Sequence, residues 1–394
     1  MSPVGPALLP PDVLMKPAFH NAIGGLNMKA KLSFIAFSLL ASAQFSLPAQ
    51  AANTFSTLIF TPLTIEGLTG DNRGNLFVAG RNPGVGNPCP VWRINIASPS
   101  LVLVGNIPPR AAGQCSPSGL TFDRVGNLYV TETDQIYKLF PNSSSPPTAT
   151  LFATGVPGTN GLAFDRSGNL WTGDGTQSIG RVWRITPAGV VAEKFRVQPM
   201  ANQFGVGRSA VTLPPGTAQP LVANGVAFDR DGALLIVDTA RGAVWRVEVD
   251  RNGDPVSNTG CDTTFTANTL CLENILIAHP LIEGADGFVL DQAGNLYIDA
   301  NERNAVVKVD NNLRVTEIFR NDPDPTTNLR NTGPLETPTS PYIDGHTLCT
   351  SNSDGNRRDN SPATAGEIPG ANGLGKISCM DQRLRVPGLP LPIR

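Results

Sequence analysis

Apolar and polar positions alternate in short runs from about residue 64 to residue 350, and no stretch in that span sustains the 3.6-residue spacing of an amphipathic helix. One composite pattern recurs five times: an oxygen-bearing residue, Gly, an apolar residue, then Asp, a turn with Gly, and an apolar run rich in aromatic and β-branched residues. The copies open at Glu66-Gly67-Leu68, Ser118-Gly119-Leu120, Asn160-Gly161-Leu162, Asn224-Gly225-Val226 and Asp286-Gly287-Phe288. Their second halves read Asn75-Leu76-Phe77-Val78, Asn127-Leu128-Tyr129-Val130, Asn169-Leu170-Trp171, Ala233-Leu234-Leu235-Ile236 and Asn295-Leu296-Tyr297-Ile298. Each copy predicts a β-hairpin, the glycine supplying the positive φ of the reversal.

A third strand follows in each unit, as Val91-Trp92-Arg93-Ile94, Ile136-Tyr137-Lys138-Leu139, Val182-Trp183-Arg184-Ile185, Val244-Trp245-Arg246-Val247 and Val306-Val307-Lys308-Val309. Runs such as Val190-Val191-Ala192 and Val315-Thr316-Glu317-Ile318 supply a fourth. A lone four-stranded sheet cannot bury both faces, so repeated units of this kind stack around an axis. The fold class is therefore all-β, a six-bladed β-propeller of four-stranded antiparallel blades around a central channel. Pro341 to Ser351 is read as a degenerate sixth unit and residues 53–62 as a strand that closes the ring. The Pro/Gly/Asn-rich stretches 197–222, 250–275 and 320–340 are read as loops.

The first part of the chain has a different character. Met28-Lys29-Ala30-Lys31, the apolar run Leu32 to Leu40 and Ala49-Gln50-Ala51 together read as a secretory signal peptide over 28–51, with 1–27 an upstream extension and 52–394 the propeller. The apolar run falls short of the ~20 residues that span a bilayer, which disfavours a membrane anchor. The protein is thus expected in the periplasm or outside the cell, with no membrane contact after cleavage. Its 30 Lys and Arg against 32 Asp and Glu include no basic block, which argues against nucleic acid as a partner. Six cysteines behind an export signal favour disulfides over zinc, since none forms a C-x-x-C pair. Pairing of nearest neighbours would join 89 to 115, 261 to 271 and 349 to 379, although sequence leaves the connectivity open, as it does the oligomeric state.

Equivalent positions of the repeats come to equivalent places around a propeller axis. The residue before the template Gly is Glu66, Ser118, Asn160, Asn224 and Asp286 in turn, and each carries an oxygen. A site of oxygen donors without His or Cys selects Ca²⁺, with another divalent cation as the alternative and Mg²⁺ disfavoured by its strict octahedral demand. Burying Glu66 near Asp286 without a cation would drive one pKa up sharply. Rival signals are weak: there is no G-x-S-x-G elbow and no H-E-x-x-H, and His279 and His346 fall in loops or turns. Gly205-Val206-Gly207 has no helix after it to bind phosphate. Asp250-Arg251-Asn252-Gly253-Asp254 lacks the distal Glu of a calcium loop and is read as a turn. Trp92, Trp183 and Trp245 are read as inter-blade packing.

The order Glu-Gly, Asn-Gly, Asn-Gly, Asp-Gly on successive inner strands resembles the SMP-30/gluconolactonase/luciferin-regenerating-enzyme family over roughly Thr64 to Gly355. The resemblance implies a metal-dependent hydrolase acting on a small-molecule lactone or related ester. It implies that Glu66, Asn224 and Asp286 are metal ligands, that Asn160 contacts substrate or metal, and that Asp286 is the base or nucleophile. Ser118 has no fixed role in that family and is read, with Asn160, as a substrate contact. That family's substrate-binding arginine has no motif by which to place it here. Two other readings stay open: a binding propeller whose channel ion is structural, and an enzyme resembling strictosidine synthase that does not rely on the metal.

Overall fold

The computed structural model describes residues 53–110, 114–175, 179–198, 223–326, 330, 332–353 and 375–392. The described residues all fall in one compact unit, Ala51–Arg394. The leader and extension expected over 1–51 lie outside the described residues, as does most of the 197–222 loop. No helix among the described residues is long and apolar enough to cross a membrane.

The repeats fold into six four-stranded antiparallel sheets, five of them with strands hydrogen-bonded in chain order from the channel outward and the sixth completed by a strand from the start of the propeller. The inner strands are Ile65–Gly70, Pro117–Phe122, Thr159–Phe164, Val226–Phe228, Ala285–Leu290 and Pro338–Asp344. Each touches the next, and the sixth touches the first, so the ring closes. Closure is completed by the strand Phe55–Thr61, which pairs with Gly375–Met380 as the outermost strand of blade 6. The sixth blade starts three residues earlier than its degenerate sequence indicated, and its third strand is Gly375–Met380, which no repeat signature marks.

The disulfides pair nearest neighbours: Cys89 with Cys115, Cys261 with Cys271, and Cys349 with Cys379. The last is a cross-strand pair between the second and third strands of blade 6.

The core lies between blades. Trp171, Phe195, Phe228 and Trp245 fill the seam between blades 3 and 4, with Phe228 edge-on to Trp171 at 5.9 Å. Trp92 and Trp245 are buried, and Trp183 is half-buried beneath the Arg181 guanidinium, 5.2 Å from its ring. All three tryptophans therefore pack between strands and blades as the alternation predicted. The Asp250 carboxylate accepts from the amides of Asn252 (2.8 Å) and Asp254 (2.9 Å), which makes that segment a turn.

One feature of the channel had no counterpart in the repeat pattern. The C-terminal segment crosses the mouth opposite the oxygen-bearing ring: Leu389 N–H donates to Leu290 O at 2.9 Å, and Gln292 N–H donates to Pro387 O at 2.8 Å. Asn72 Nδ2 donates to Leu391 O at 3.0 Å. The template residues after the glycine, Leu68, Leu120, Leu162, Val226 and Phe288, line an apolar cavity of about 80 Å³ that Leu389 and Leu391 floor.

Candidate functional site

The inner strands approach so closely at the template glycines that a side chain has no room. A Cβ on Gly119 would sit 2.1 Å from the carbonyl oxygen of Asn160, and one on Gly225 would sit 2.7 Å from that of Asp286. Neighbouring inner strands thus meet at the residue before the glycine, which sets Glu66, Ser118, Asn160, Asn224 and Asp286 in one ring. The sixth member is Thr339, whose carbonyl faces Gly287 in the same way. Sequence reasoning passed over Thr339 because a Ser stands where the template has Gly.

Glu66 is ion-paired with Arg81 through Oε2 and accepts from Asn160 Nδ2 on its Oε1 at 3.3 Å. Its carbonyl oxygen takes hydrogen bonds from the hydroxyls of Thr339 (2.7 Å) and Ser351. Asn160 and Asn224 flank Gly175: a Cβ there would lie 3.0 Å from Asn160 Cβ and 3.3 Å from Asn224 Oδ1. Asn224 is wholly buried and donates Nδ2 to Thr239 Oγ1 at 3.0 Å, while its Oδ1 has no hydrogen-bond partner among the described residues. Asp286 is also buried, accepts from Asn301 Nδ2 on Oδ2 at 2.8 Å, and gives its carbonyl oxygen to Gly225 N–H at 2.9 Å. Ser118 is buried in the ring and meets Gly67 of the preceding blade through its carbonyl.

Four residues that sequence reasoning did not single out occupy one further template position, directly after the second strand. Arg81, Gly175, Thr239 and Asn301 each stand against the ring residue of their own blade. A signal existed, since the spacing from the template Leu of the second strand is constant: 76 to 81, 170 to 175, 234 to 239 and 296 to 301. The residue type changes from blade to blade, so no motif marks it.

Buried carboxyls surround the ring. Asp299, wholly buried beside Asp286, is pushed well above the usual carboxylate range by burial, which its hydrogen bond from Thr350 only partly offsets. Burial raises Asp174 to about 6 against the pull of Arg181, and raises Asp238 to about 6 against Arg241 and the Trp245 indole. The two described histidines are engaged at Nδ1: His279 Nδ1 accepts from Leu281 N–H at 3.1 Å, and His346 Nδ1 lies 2.8 Å from Leu384 O.

Among the described residues no three His, Cys, Asp or Glu side chains gather into a metal cage. Cation donors here would combine two carboxylates with carboxamides. The donor chemistry fits a hard cation: Asn224 Oδ1 is a buried acceptor without a donor, between Asn160 on one side and the Asp286 blade on the other. The unpartnered Oδ1 of Asn301, whose Nδ2 holds Asp286, extends the same acceptor surplus.

Comparison with known proteins bears on the fold and the family. Residues 110–329 match the SMP-30/Gluconolactonase/LRE-like region family. No curated protein matches the chain. Among solved structures, a luciferin-regenerating enzyme aligns with a TM-score of 0.54 at 14% identity, over 85% of this chain and 97% of the other. The calcium-binding protein regucalcin from Agrobacterium tumefaciens aligns with a TM-score of 0.51 at 18% identity, over 85% and 96%. A PQQ-bound aldose sugar dehydrogenase from Streptomyces coelicolor aligns with a TM-score of 0.54 at 14% identity, over 84% and 98%. At these identities the likeness is one of fold, and it extends to proteins of different chemistry.

Proposed function

The chain belongs to the SMP-30/gluconolactonase/LRE-like family, and from that premise we propose that it is a hydrolase that opens a lactone or related ester with the help of a divalent cation, calcium first. The observation that carries this reading is the buried, partnerless carbonyl oxygen of Asn224, set in a ring with two carboxylates. An unsatisfied buried acceptor costs on the order of 1–3 kcal/mol, which a cation at the ring would relieve.

Glu66, Asn160, Asn224 and Asp286 are the residues that would hold the ion. A cation bound there would polarise the ester carbonyl and stabilise charge developing on its oxygen. Asp286 is assigned to take a proton from the attacking water, with Asn301 holding its Oδ2 and so fixing the carboxylate's orientation. Asn160 and Ser118 are assigned to orient the substrate. Arg81 partly neutralises Glu66, so the ring carries less negative charge than its two carboxylates alone would give it. The three disulfides support a setting outside the cytoplasm, in the periplasm or beyond the cell.

The Arg81–Glu66 ion pair favours a second reading, a non-catalytic binding propeller whose channel ion is structural, because the guanidinium ties Glu66 into the ring as a structural element. One experiment separates the two. The protein is dialysed against EGTA and assayed on aldonolactones, homoserine lactones and aryl esters, before and after calcium is restored. Calcium-restored hydrolysis that falls at least roughly a hundredfold in Asp286→Asn supports the hydrolase. Calcium binding without turnover of any substrate in the panel assigns the second reading, and wild-type rates in Asp286→Asn remove that residue from the mechanism.

A further inference from the structure

On the face of the propeller that carries the C-terminal tail, a groove of about 480 Å³ runs between blades 1 and 2 and ends against Pro390, Leu391 and Pro392. Its aromatic wall includes Phe77 and Phe122, packed edge to face with centroids 4.9 Å apart. Phe140, 61% exposed, lines the groove as well. Arg93, the cross-strand partner of Phe77, and the exposed Arg73 line the same groove. Neither guanidinium has a hydrogen-bond or ion-pair partner among the described residues.

The carboxylates in the groove do not serve these arginines. Asp71 accepts from the amide N–H of Arg73 at 2.9 Å and from Asn75 Nδ2 at 2.8 Å. Asp123 accepts from the amide N–H groups of Val125 (3.0 Å) and Asn127 (2.8 Å) and from Asn127 Nδ2 (2.7 Å). Both acids are thus engaged in their own turns, while the two arginines present planar, forked donors beside an aromatic and proline surface. Arg124, the third basic residue, gives its guanidinium to Arg166 O at 3.1 Å and so belongs to the rim.

We infer that this groove is a second binding site, for a small aromatic monoanion such as an aryl carboxylate or sulfonate. The charged group sits with Arg73 and Arg93, and the ring lies against Phe77, Phe122 and the proline-rich tail. The site is on the opposite mouth of the channel from the Glu66–Asp286 ring and does not depend on the hydrolase reading.

The test is a fluorescence titration of the full chain with the aromatic sulfonate 1-anilinonaphthalene-8-sulfonate, with benzenesulfonate as competitor. Expected are saturation at one site, displacement by benzenesulfonate, and weaker binding as salt is raised. In the Arg73→Gln/Arg93→Gln pair the affinity falls roughly tenfold or more, with the thermal midpoint unchanged, and Arg73→Lys/Arg93→Lys recovers part of it. Phe140→Ser weakens binding without altering its salt dependence. Undiminished binding in the Gln pair, or enhancement that neither saturates nor responds to salt, would overturn the inference in favour of adsorption on apolar surface. Capture by anionic lipid vesicles without displacement by benzenesulfonate would overturn it in favour of a membrane contact.

Discussion

Thr239 fixes which end of the Asn224 carboxamide faces the channel ring. Its hydroxyl donates to Ala285 O at 2.6 Å, so the lone pair left over can only accept, and it accepts from Asn224 Nδ2 at 3.0 Å. The amide's oxygen is then committed to the ring side, where no other described donor reaches it. Thr239→Val keeps the volume and removes that orientation. Calcium affinity, followed by isothermal titration calorimetry, is expected to drop about 10–100-fold, as for other residues that orient a metal ligand from behind. Unchanged affinity would take Asn224 out of the cation site.

Arg81 makes the opposite prediction. Its guanidinium shares the Glu66 carboxylate that the cation reading requires. Arg81→Gln leaves that carboxylate without its positive partner, so calcium is expected to bind several-fold more tightly. Calcium titration of the variant beside the wild type measures this, and weaker binding would mean that Arg81 organises Glu66 for the ion instead of competing with it.

The propeller was legible because its repeats restate the same strand pattern and place oxygen-bearing residues before each glycine, where close approach of inner strands demands no side chain. What was not legible has a common physical cause: it depends on partners distant in sequence and carries no repeated residue type. Thr339 closes the ring but lacks the following glycine, and the third strand of blade 6 sits beyond residues 354–374 from its neighbour. Arg81, Gly175, Thr239 and Asn301 share a place in the fold yet differ in chemistry. The tail at Leu389 and Leu391 belongs to no repeat at all, and its hydrogen bonds to Leu290, Gln292 and Asn72 reveal it as the channel's floor.

Asp238 ties stability to pH. Burial raises its folded pKa to about 6, against an ordinary carboxylate value of 3.8, despite Arg241 and Trp245. A raised carboxylate pKa means that the folded state holds its proton longer than the unfolded chain. Stability contributed by the protonated form is therefore full below about pH 4 and is lost as pH rises to about 6. At ~1.4 kcal/mol per pKa unit the loss is roughly 3 kcal/mol. Asp238→Asn should remove this contribution, so the difference in unfolding free energy between variant and wild type grows over that window and is flat above it. Denaturant melts at intervals from pH 4 to 7 check this; a constant difference would show that the folded protein does not retain the proton.

The ring itself rests on backbone contact at the glycines, and Gly119 tests it most directly. A Cβ at residue 119 would lie 2.1 Å from the Asn160 carbonyl oxygen and 3.2 Å from Gly161 Cα, both backbone atoms that no rotamer change can move aside. Blades 2 and 3 would have to separate, and with them Asn160 would leave Glu66, its hydrogen-bond partner in blade 1. Gly119→Ala is therefore expected to cost at least about 2–3 kcal/mol in denaturant unfolding, although alanine is otherwise the mildest of substitutions. Gly126 provides the control: it lies in the exposed turn of the same blade at φ 91°, and its built Cβ meets only the edge of Phe140 at 3.4 Å. Gly126→Ala should lose roughly 1 kcal/mol from its positive φ while leaving calcium affinity unchanged. Equal effects of the two variants on calcium binding would mean that the spacing of the inner strands does not govern the ring.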